Sequence, residues 1–409
     1  MSHKYLEELE PAYTPLTVSE EASRCLLCLD APCSKDCPAG TDPGRFIRAV
    51  RFRNFKGAAE VVRENNVLGS ICARVCPTER YCQKGCARSG IDVPIDIGRI
   101  QRFITDYEDA NKMQILKKGK ANGKKIAIVG SGPASLQAAA SLARLGYEID
   151  IYEKDEKPGG YLRYGIPEYR LPTSIVDREI AYVTALGVHI HLNTHVGKDI
   201  TILQLKETNN AVIIAVGASY GKMLPMFKDN PHVEIAVDFL KRVRDNKGQV
   251  DLPNNVLVIG GGDVAMDVNV TLKILGVKNV SDVVYEEFSE FRASKKELRD
   301  AQATGVSIID GYVPTKVEGK TVTFKHRVIP GEVKISADKI ILAVGQYPDV
   351  TGLEGIRIVN GESDIEGYVT NDPQVYIAGD IAHLDKTVVA AVRTGKDVAA
   401  LIHSRIGGR

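Results

Sequence analysis

The chain has 409 residues, 44% of them apolar, and its 53 Lys plus Arg nearly balance its 52 Asp plus Glu. That balance leaves no basic field to recruit nucleic acid or an anionic lipid surface, and the longest apolar runs, such as Ala211 to Val216, are far too short to span a bilayer. The length implies about two to four domains, and the opening residues carry no apolar export segment, so a cytoplasmic location is expected.

All eight cysteines lie between positions 25 and 86, as Cys25-x2-Cys28-x4-Cys33-x3-Cys37-Pro38 and Cys72-x3-Cys76-Pro77-x4-Cys82-x3-Cys86. Thiolates this closely spaced on a tight loop can converge on one face of an iron–sulfur cubane, and a terminal Cys-Pro commonly serves a neighbouring cluster. Structural zinc usually separates two Cys-x2-Cys pairs by a longer gap, and disulfides need an oxidising compartment. Two clusters need eight ligands, and eight cysteines are present. The spacing of Cys72 with Cys76, and of Cys82 with Cys86, is the helical i,i+4 step that puts two side chains on one face.

Around these residues the chain reads as helical. Thr17-x2-Glu20 predicts a capping box for a helix carrying Cys25 and Cys28. Apolar Phe46, Ile47, Val50 and Phe55 predict a helix over 44–65. Residues 1–115 are therefore expected to form a small helical domain with two clusters, stabilised in part by its metal. The polar stretch Lys117 to Gly123 reads as a linker.

From Lys124 the pattern changes to short apolar strands alternating with helices, and it does so twice. Lys125 to Val129 leads into Gly130-Ser131-Gly132 and a helix ending near Gly146. Asn255 to Ile259 leads into Gly260-Gly261-Gly262 and a helix ending near Gly276. Strands Ile149 to Tyr152 and Val280 to Tyr285 follow, and each half closes on an apolar strand and glycine, at Gly217 and Gly345. The first glycine makes the turn, the second admits a pyrophosphate, and the helix N-terminus presents N–H groups to it. The third positions, Ser135 and Ala265, are small enough for close helix–strand packing. The acidic residue expected about 20 positions on, for the ribose hydroxyls, is Glu153 in the first unit and Glu286 in the second. The fold expected is an α/β two-dinucleotide-binding flavoprotein with two Rossmann-like domains, one inserted in the other, and an N-terminal all-α iron–sulfur domain. Residues 124–224 and 346–409 would bind FAD and 225–345 NAD(H). Gly379-Asp380 fits a flavin-contacting Gly-Asp turn. With no cysteine after position 86, no dithiol beside the flavin can pass electrons to a disulfide, so they must leave through the clusters.

Further segments carry a family resemblance: Cys76-Pro77-Thr78-Glu79, Asp96 to Gln101, Gly159-Gly160 through Pro172, and Gly260 to Asp267. With the first cysteine run they resemble the glutamate synthase small-subunit family, and within it the FAD and iron–sulfur subunits of bacterial NAD-dependent dihydropyrimidine dehydrogenase. The resemblance covers essentially the whole chain. It implies reversible reduction of uracil or thymine to the 5,6-dihydro compound with NADH. It assigns Cys25, Cys28, Cys33 and Cys86 to one [4Fe-4S] cluster and Cys37, Cys76, Cys82 and Gln101 to a second, whereas counting thiols alone would use Cys72 in place of Gln101.

For FAD the resemblance points to Gly130, Gly132, Ala134, Ser135, Glu153, Gly160, Tyr161, Arg170, Gly379, Asp380 and Thr387. For the nicotinamide nucleotide it points to Gly262, Asp263, Val264, Ala343 and Gly345, beside Gly260 and Glu286 from the turn itself. No residue is expected to act as an acid, base or nucleophile on a substrate. Glu286 at the strand end favours NADH over NADPH by repelling a 2'-phosphate, while Arg292 stands where a phosphate-reading arginine falls in relatives. Once these parts are placed, nothing remains for an FMN-bearing barrel or a pyrimidine pocket. The resemblance thus implies a partner subunit carrying FMN and further clusters, in a heterotetramer. A glutamate synthase small subunit, a ferredoxin:NAD(P)H oxidoreductase subunit, or a redox-inactive flavin and zinc scaffold are the other readings.

Overall fold

The computed structural model describes residues 2–353, 355–359, 362–363, 368–382 and 385–407. The chain divides into two compact units: Met1–Leu9, Tyr164–Pro172 and Ser219–Tyr347 form one, and Glu10–Arg163, Thr173–Ala218 and Pro348–Arg409 the other. Each unit is built on a five-stranded parallel sheet.

In the larger unit the sheet order is Val375–Ile377, Ala211–Ile214, Lys125–Val129, Glu148–Tyr152, Val188–His191. The central strands bury both faces, as expected for a parallel sheet covered on two sides. Helix Pro133–Arg144 packs on it, and helix Val388–Ile406 packs on that helix so closely that a Cβ at Gly395 would stand 2.4 Å from the Ala134 carbonyl oxygen. The smaller unit repeats the plan, with order Val233–Ile235, Lys339–Leu342, Asn255–Ile259, Asn279–Val283, Ser307–Ile309. It adds a three-stranded antiparallel sheet over Tyr312–Glu318, Thr321–His326 and Glu332–Ser336. The segment Ser219–Tyr347 opens and closes in one ladder, Tyr220–Gly221 against Gln346–Tyr347.

The cysteine-rich segment is helical and shares the larger unit with the first glycine turn. Its apolar core joins Val18, Ala22, Phe46, Ile47, Val50, Val62, Ile100 and Ile104. Three local expectations are corrected. The first helix runs Pro15–Ser23 and is capped by Thr14, not Thr17; Pro15 takes the first helical position, Thr17 is the reciprocal partner, and Cys25 and Cys28 lie beyond the helix end. The helix expected over 44–65 is two, Pro43–Arg51 and Phe55–Asn65, because Arg53 is left-handed at φ +56° and Asn54 caps the second by accepting from the Gly57 N–H at 2.9 Å. Cys82 lies in a turn and Cys86 just before the short 3-10 helix Ala87–Gly90, so the two do not share a helix face.

The stretch 112–123 has no regular structure but is pinned. The Gly119 N–H donates to the Ala143 carbonyl at 3.0 Å and the Asn122 N–H to Gly146 at 3.0 Å. Tyr182 accepts from the N–H groups of Ile115 and Leu116. Next to it a buried charge group braces the unit: Arg63 meets Glu108 at 2.7 Å and Glu179 at 2.7 Å, all three nearly inaccessible. The smaller unit has a counterpart in Arg170, which meets Asp267 at 2.6 Å and Glu297 at 2.7 Å.

Candidate functional site: two thiol groups and two glycine turns

Cys25, Cys28, Cys33 and Cys86 wall a single cavity, together with Leu26, Leu27 and Pro32. Leu27 takes the left-handed conformation at φ +55°, which turns the chain sharply between Cys25 and Cys28. Arg51 donates to the Cys25 carbonyl at 2.8 Å and ties this loop to the helix Pro43–Arg51. Burial pushes the Cys25 thiol up and the Cys33 thiol up to about 11, with Cys86 raising both further. Thiols so placed ionise only if a positive group enters among them, which iron would supply. Among the described residues no three His, Cys, Asp or Glu side chains close around a single ion; the four cysteines line one cavity.

The second group is Cys37, Cys72, Cys76 and Cys82. Burial pushes Cys76 well above the ordinary thiol value, and Cys72, Cys82 and Cys37 each add to the rise. Cys82 is raised in the same way, by burial first and then Cys37. The Cys37 sulfur accepts the Thr41 N–H at 3.4 Å. Cys72 and Gln101 both lie in this neighbourhood but in different states. Cys72 is 4% exposed, is pushed up to about 12 by burial and hydrogen-bonds Asn66. Gln101 is also buried, and its Nε2 donates to the Gly69 carbonyl at 2.7 Å, which leaves its Oε1 as the end available to another partner. Thus the cysteines expected for each group do come together, and Cys72 stands beside the second.

Both glycine turns have the shape that admits a phosphate. Gly130 and Gly260 are at φ +92° and +156°, and a Cβ on them would come within 2.7 Å of the Ala215 oxygen and 2.4 Å of the Ala343 oxygen. Gly132 and Gly262 begin helices Pro133–Arg144 and Asp263–Ile274, and a Cβ on either would meet open space. Above the first turn sits the next loop: a Cβ at Gly160 would lie 3.3 Å from the Gly132 Cα, and the Gly159 N–H donates to Ser131 Oγ at 2.8 Å. Glu153 Oε2 accepts from the Ser131 N–H at 2.9 Å and from its hydroxyl, and Oε1 from the Asp155 N–H at 2.9 Å. Ser131 is thus a member of this site that glycine spacing alone did not single out.

Ala134 and Ser135 are in the first turn of the helix beneath, and Tyr161 opens the short helix Tyr161–Tyr164 just after Gly160. Gly379 is left-handed at φ +79°, its Cβ position 3.2 Å from Ala134 Cβ, and its N–H donates to Thr394 Oγ1 at 2.9 Å. Burial pushes Asp380 up to about 6. Thr387 caps the helix Val388–Ile406, accepting from the Ala390 N–H. Arg170 belongs to the smaller unit, where Asp267 and Glu297 pair with its guanidinium.

At the second turn, Asp263 Oδ1 accepts from the Ser294 N–H at 2.6 Å, and the Ala293 N–H donates to the Gly261 carbonyl at 3.0 Å, so the loop before helix Lys295–Ala303 is tied over the glycines. Val264 packs partly buried at the helix start, the Ala343 N–H donates to Ile259 at 2.8 Å, and Gly345 is left-handed at φ +107°. Glu286 follows the strand Asn279–Val283 and pairs with Arg292 at 3.0 Å, its carboxylate 18% exposed and the guanidinium 82%.

Residues 2–113 match the family model of dihydropyrimidine dehydrogenase domain II with its 4Fe-4S cluster, and residues 124–395 match the pyridine nucleotide-disulphide oxidoreductase model. The NAD-dependent dihydropyrimidine dehydrogenase subunit PreT of Escherichia coli O157:H7 is 55% identical over 99% of this chain and 98% of its own length. The chain belongs to the family of NAD-dependent dihydropyrimidine dehydrogenase subunits. It is an oxidoreductase of the pyridine nucleotide-disulphide type with an iron–sulfur domain. The family reaches the glutamate synthase [NADPH] small chain of Halomonas elongata at 29% identity, over 96% of this chain and 92% of that one. The nucleotide-binding fold is shared with FprA from Mycobacterium tuberculosis, at TM-score 0.60 and 20% identity over 69% of this chain and 85% of that one. Among the described residues no helix is long and apolar enough to cross a membrane.

Proposed function

We propose that the chain is the electron-input subunit of an NAD-dependent dihydropyrimidine dehydrogenase, acting with a partner that carries FMN and further iron–sulfur clusters. Bound FAD would accept a hydride from NADH, and two [4Fe-4S] clusters would carry the two electrons onward singly to the partner. There, uracil or thymine takes up two electrons and two protons across its 5,6 double bond, reversibly. The observation that carries this reading is the four-thiol cavity of Cys25, Cys28, Cys33 and Cys86, folded into the same compact unit as the Gly130 turn.

The chain's own residues bind and orient. Gly130, Gly132, Ala134, Ser135 and Gly160 would border the flavin nucleotide's phosphates, with Tyr161 beside them and Glu153 toward its ribose. Gly379, Asp380 and Thr387 would line the flavin end. Gly260, Gly262, Asp263, Val264, Ala343 and Gly345 would hold NAD(H), with Glu286 accepting from its ribose hydroxyls. The second cluster would take Cys37, Cys76, Cys82 and the Gln101 carbonyl, leaving Cys72 as a small buried side chain bonded to Asn66. Iron analysis of Cys72→Ala tests that assignment: full iron is expected, and its loss would transfer the ligand role to Cys72.

We place the assembly in the cytoplasm as a heterotetramer. Anaerobic pull-down of the tagged chain, with flavin and mass analysis, is the decisive experiment. A partner of similar length bearing FMN, with uracil-dependent NADH oxidation, is expected. A much larger partner with glutamine-dependent activity would replace this reading with glutamate synthase.

A further inference from the structure

We infer that Lys396 sets the reduction potential of the second cluster. The inference rests on the cluster reading above but concerns a residue outside every motif so far used. Lys396 lies on helix Val388–Ile406, one residue after Gly395, and the missing side chain at Gly395 lets this helix settle against the Ala134 carbonyl. The helix that starts beside the Gly379-Asp380 turn is therefore held at a fixed height on the helix of the Gly130 turn. Its lysine is delivered to the loop that follows Cys37: Nζ donates to the Ala39 carbonyl at 2.6 Å and lies 3.8 Å from where a Cβ at Gly40 would stand.

The side chain is half-buried; burial lowers its pKa, and the adjacent Cys37 counteracts that fall. Asp397, its neighbour in sequence, is hydrogen-bonded by the Tyr368 hydroxyl at 2.8 Å and paired with Arg393, and its charge also acts on Lys396, as does the like charge of Arg144. Charges of opposite sign on the same thiol group are Glu79, which acts on Cys76, and Glu179, which acts on Cys72. The other thiol group has its own cation in Arg51, at the Cys25 loop.

One-electron reduction of a cluster adds one negative charge among the thiolates, and potentials follow net charge and hydrogen bonding around the sulfurs. In a partly buried site a fixed cation favours the reduced state much more than it would in water. Lys396 thus raises the potential of the cluster held by Cys37 and makes it a better acceptor for electrons leaving the flavin. It touches no substrate; its role is to position charge.

The test is a redox titration of the purified holoprotein followed by low-temperature electron paramagnetic resonance, on wild type, Lys396→Gln, Lys396→Met and Lys396→Arg. The neutral variants should keep full iron and acid-labile sulfide and show a lower midpoint for one cluster signal, with the other unmoved. Lys396→Arg should restore the midpoint. Unchanged midpoints, or equal shifts of both signals, would overturn the inference. So would loss of iron from both neutral variants with retention in Lys396→Arg, which would make Lys396 a structural prop. A wild-type protein without labile sulfide would instead remove the cluster reading beneath it.

Discussion

The two glycine turns are nearly the same object, yet the acidic residues beside them are in opposite conditions. Glu153 is 5% exposed and already accepts three hydrogen bonds, from Ser131 and Asp155. Glu286 stands at the strand end, its side chain 18% exposed, and pairs with a largely exposed Arg292 at 3.0 Å. A carboxylate locked into its own turn suits a nucleotide that stays, and an accessible one suits a nucleotide that comes and goes. The units also share a brace of one buried arginine between two carboxylates, which differs in what it holds. Arg63 and Glu108, on cluster-domain helices, meet Glu179 of helix Thr173–Thr184; Arg170 fastens the segment Tyr164–Pro172 to the helices of Asp267 and Glu297.

The comparison can be broken most severely at the braces. Arg63→Ala leaves two carboxylates buried without a counter-charge and should cost about 3–5 kcal/mol of stability, read as an early unfolding transition accompanied by loss of iron. Arg170→Ala should cost as much, but with iron retained. At the turns, Gly130→Ala forces a Cβ into a left-handed position against the Ala215 oxygen. Such strain is worth roughly 1–3 kcal/mol, or about 5- to 150-fold in affinity. Flavin content should fall, while Gly260→Ala should leave flavin in place and raise KM for NADH.

Much of this arrangement was legible in the sequence, because spacing carries it. Gly130-x-Gly132 and Gly260-x-Gly262, with strands at either side, place both sheets, whereas grouping Cys86 with the first cysteine run and Cys37 with the second followed from the family resemblance and not from spacing. What stayed hidden was decided by contacts. A periodic apolar pattern runs straight through Arg53 and gives no notice that the backbone turns left-handed there. Thr14 outranks Thr17 as cap because Pro15 follows it. Arg170 sits in a motif beside flavin-type glycines, and only the fold reveals that Asp267 and Glu297, about a hundred residues on, claim it. Lys396 belongs to no motif.

Smaller effects would sharpen the contrast. Glu286→Ala removes a charged acceptor worth about 1.5–3 kcal/mol, so kcat/KM for NADH should drop roughly 10- to 150-fold. Activity with NADPH should rise, since Arg292 is released, and the added Arg292→Ala change should cancel that rise. A Glu286→Ala variant with unchanged preference would show that the strand-end carboxylate does not select the nucleotide. The mildest effect concerns pH. Burial pushes Glu108 up to about 7 from its ordinary 4.5, outweighing Arg63. A carboxyl raised on folding holds its proton more tightly in the native state, so its contribution is full below about 4.5 and is lost as pH rises through about 7. Glu108→Gln should therefore show a smaller fall in Tm between pH 5 and 7 than wild type.

The pinned stretch between Asn111 and Lys124 makes the iron–sulfur domain unlike a bead on a string. Backbone presses on backbone here: a Cβ at Gly119 would meet the Arg144 oxygen at 2.2 Å, and one at Gly146, across from the stretch, the Lys120 oxygen at 1.9 Å. Grafting this domain onto another reductase would therefore require carrying the end of helix Pro133–Arg144 with it. A peptide bond severed there would leave two fragments that still travel together.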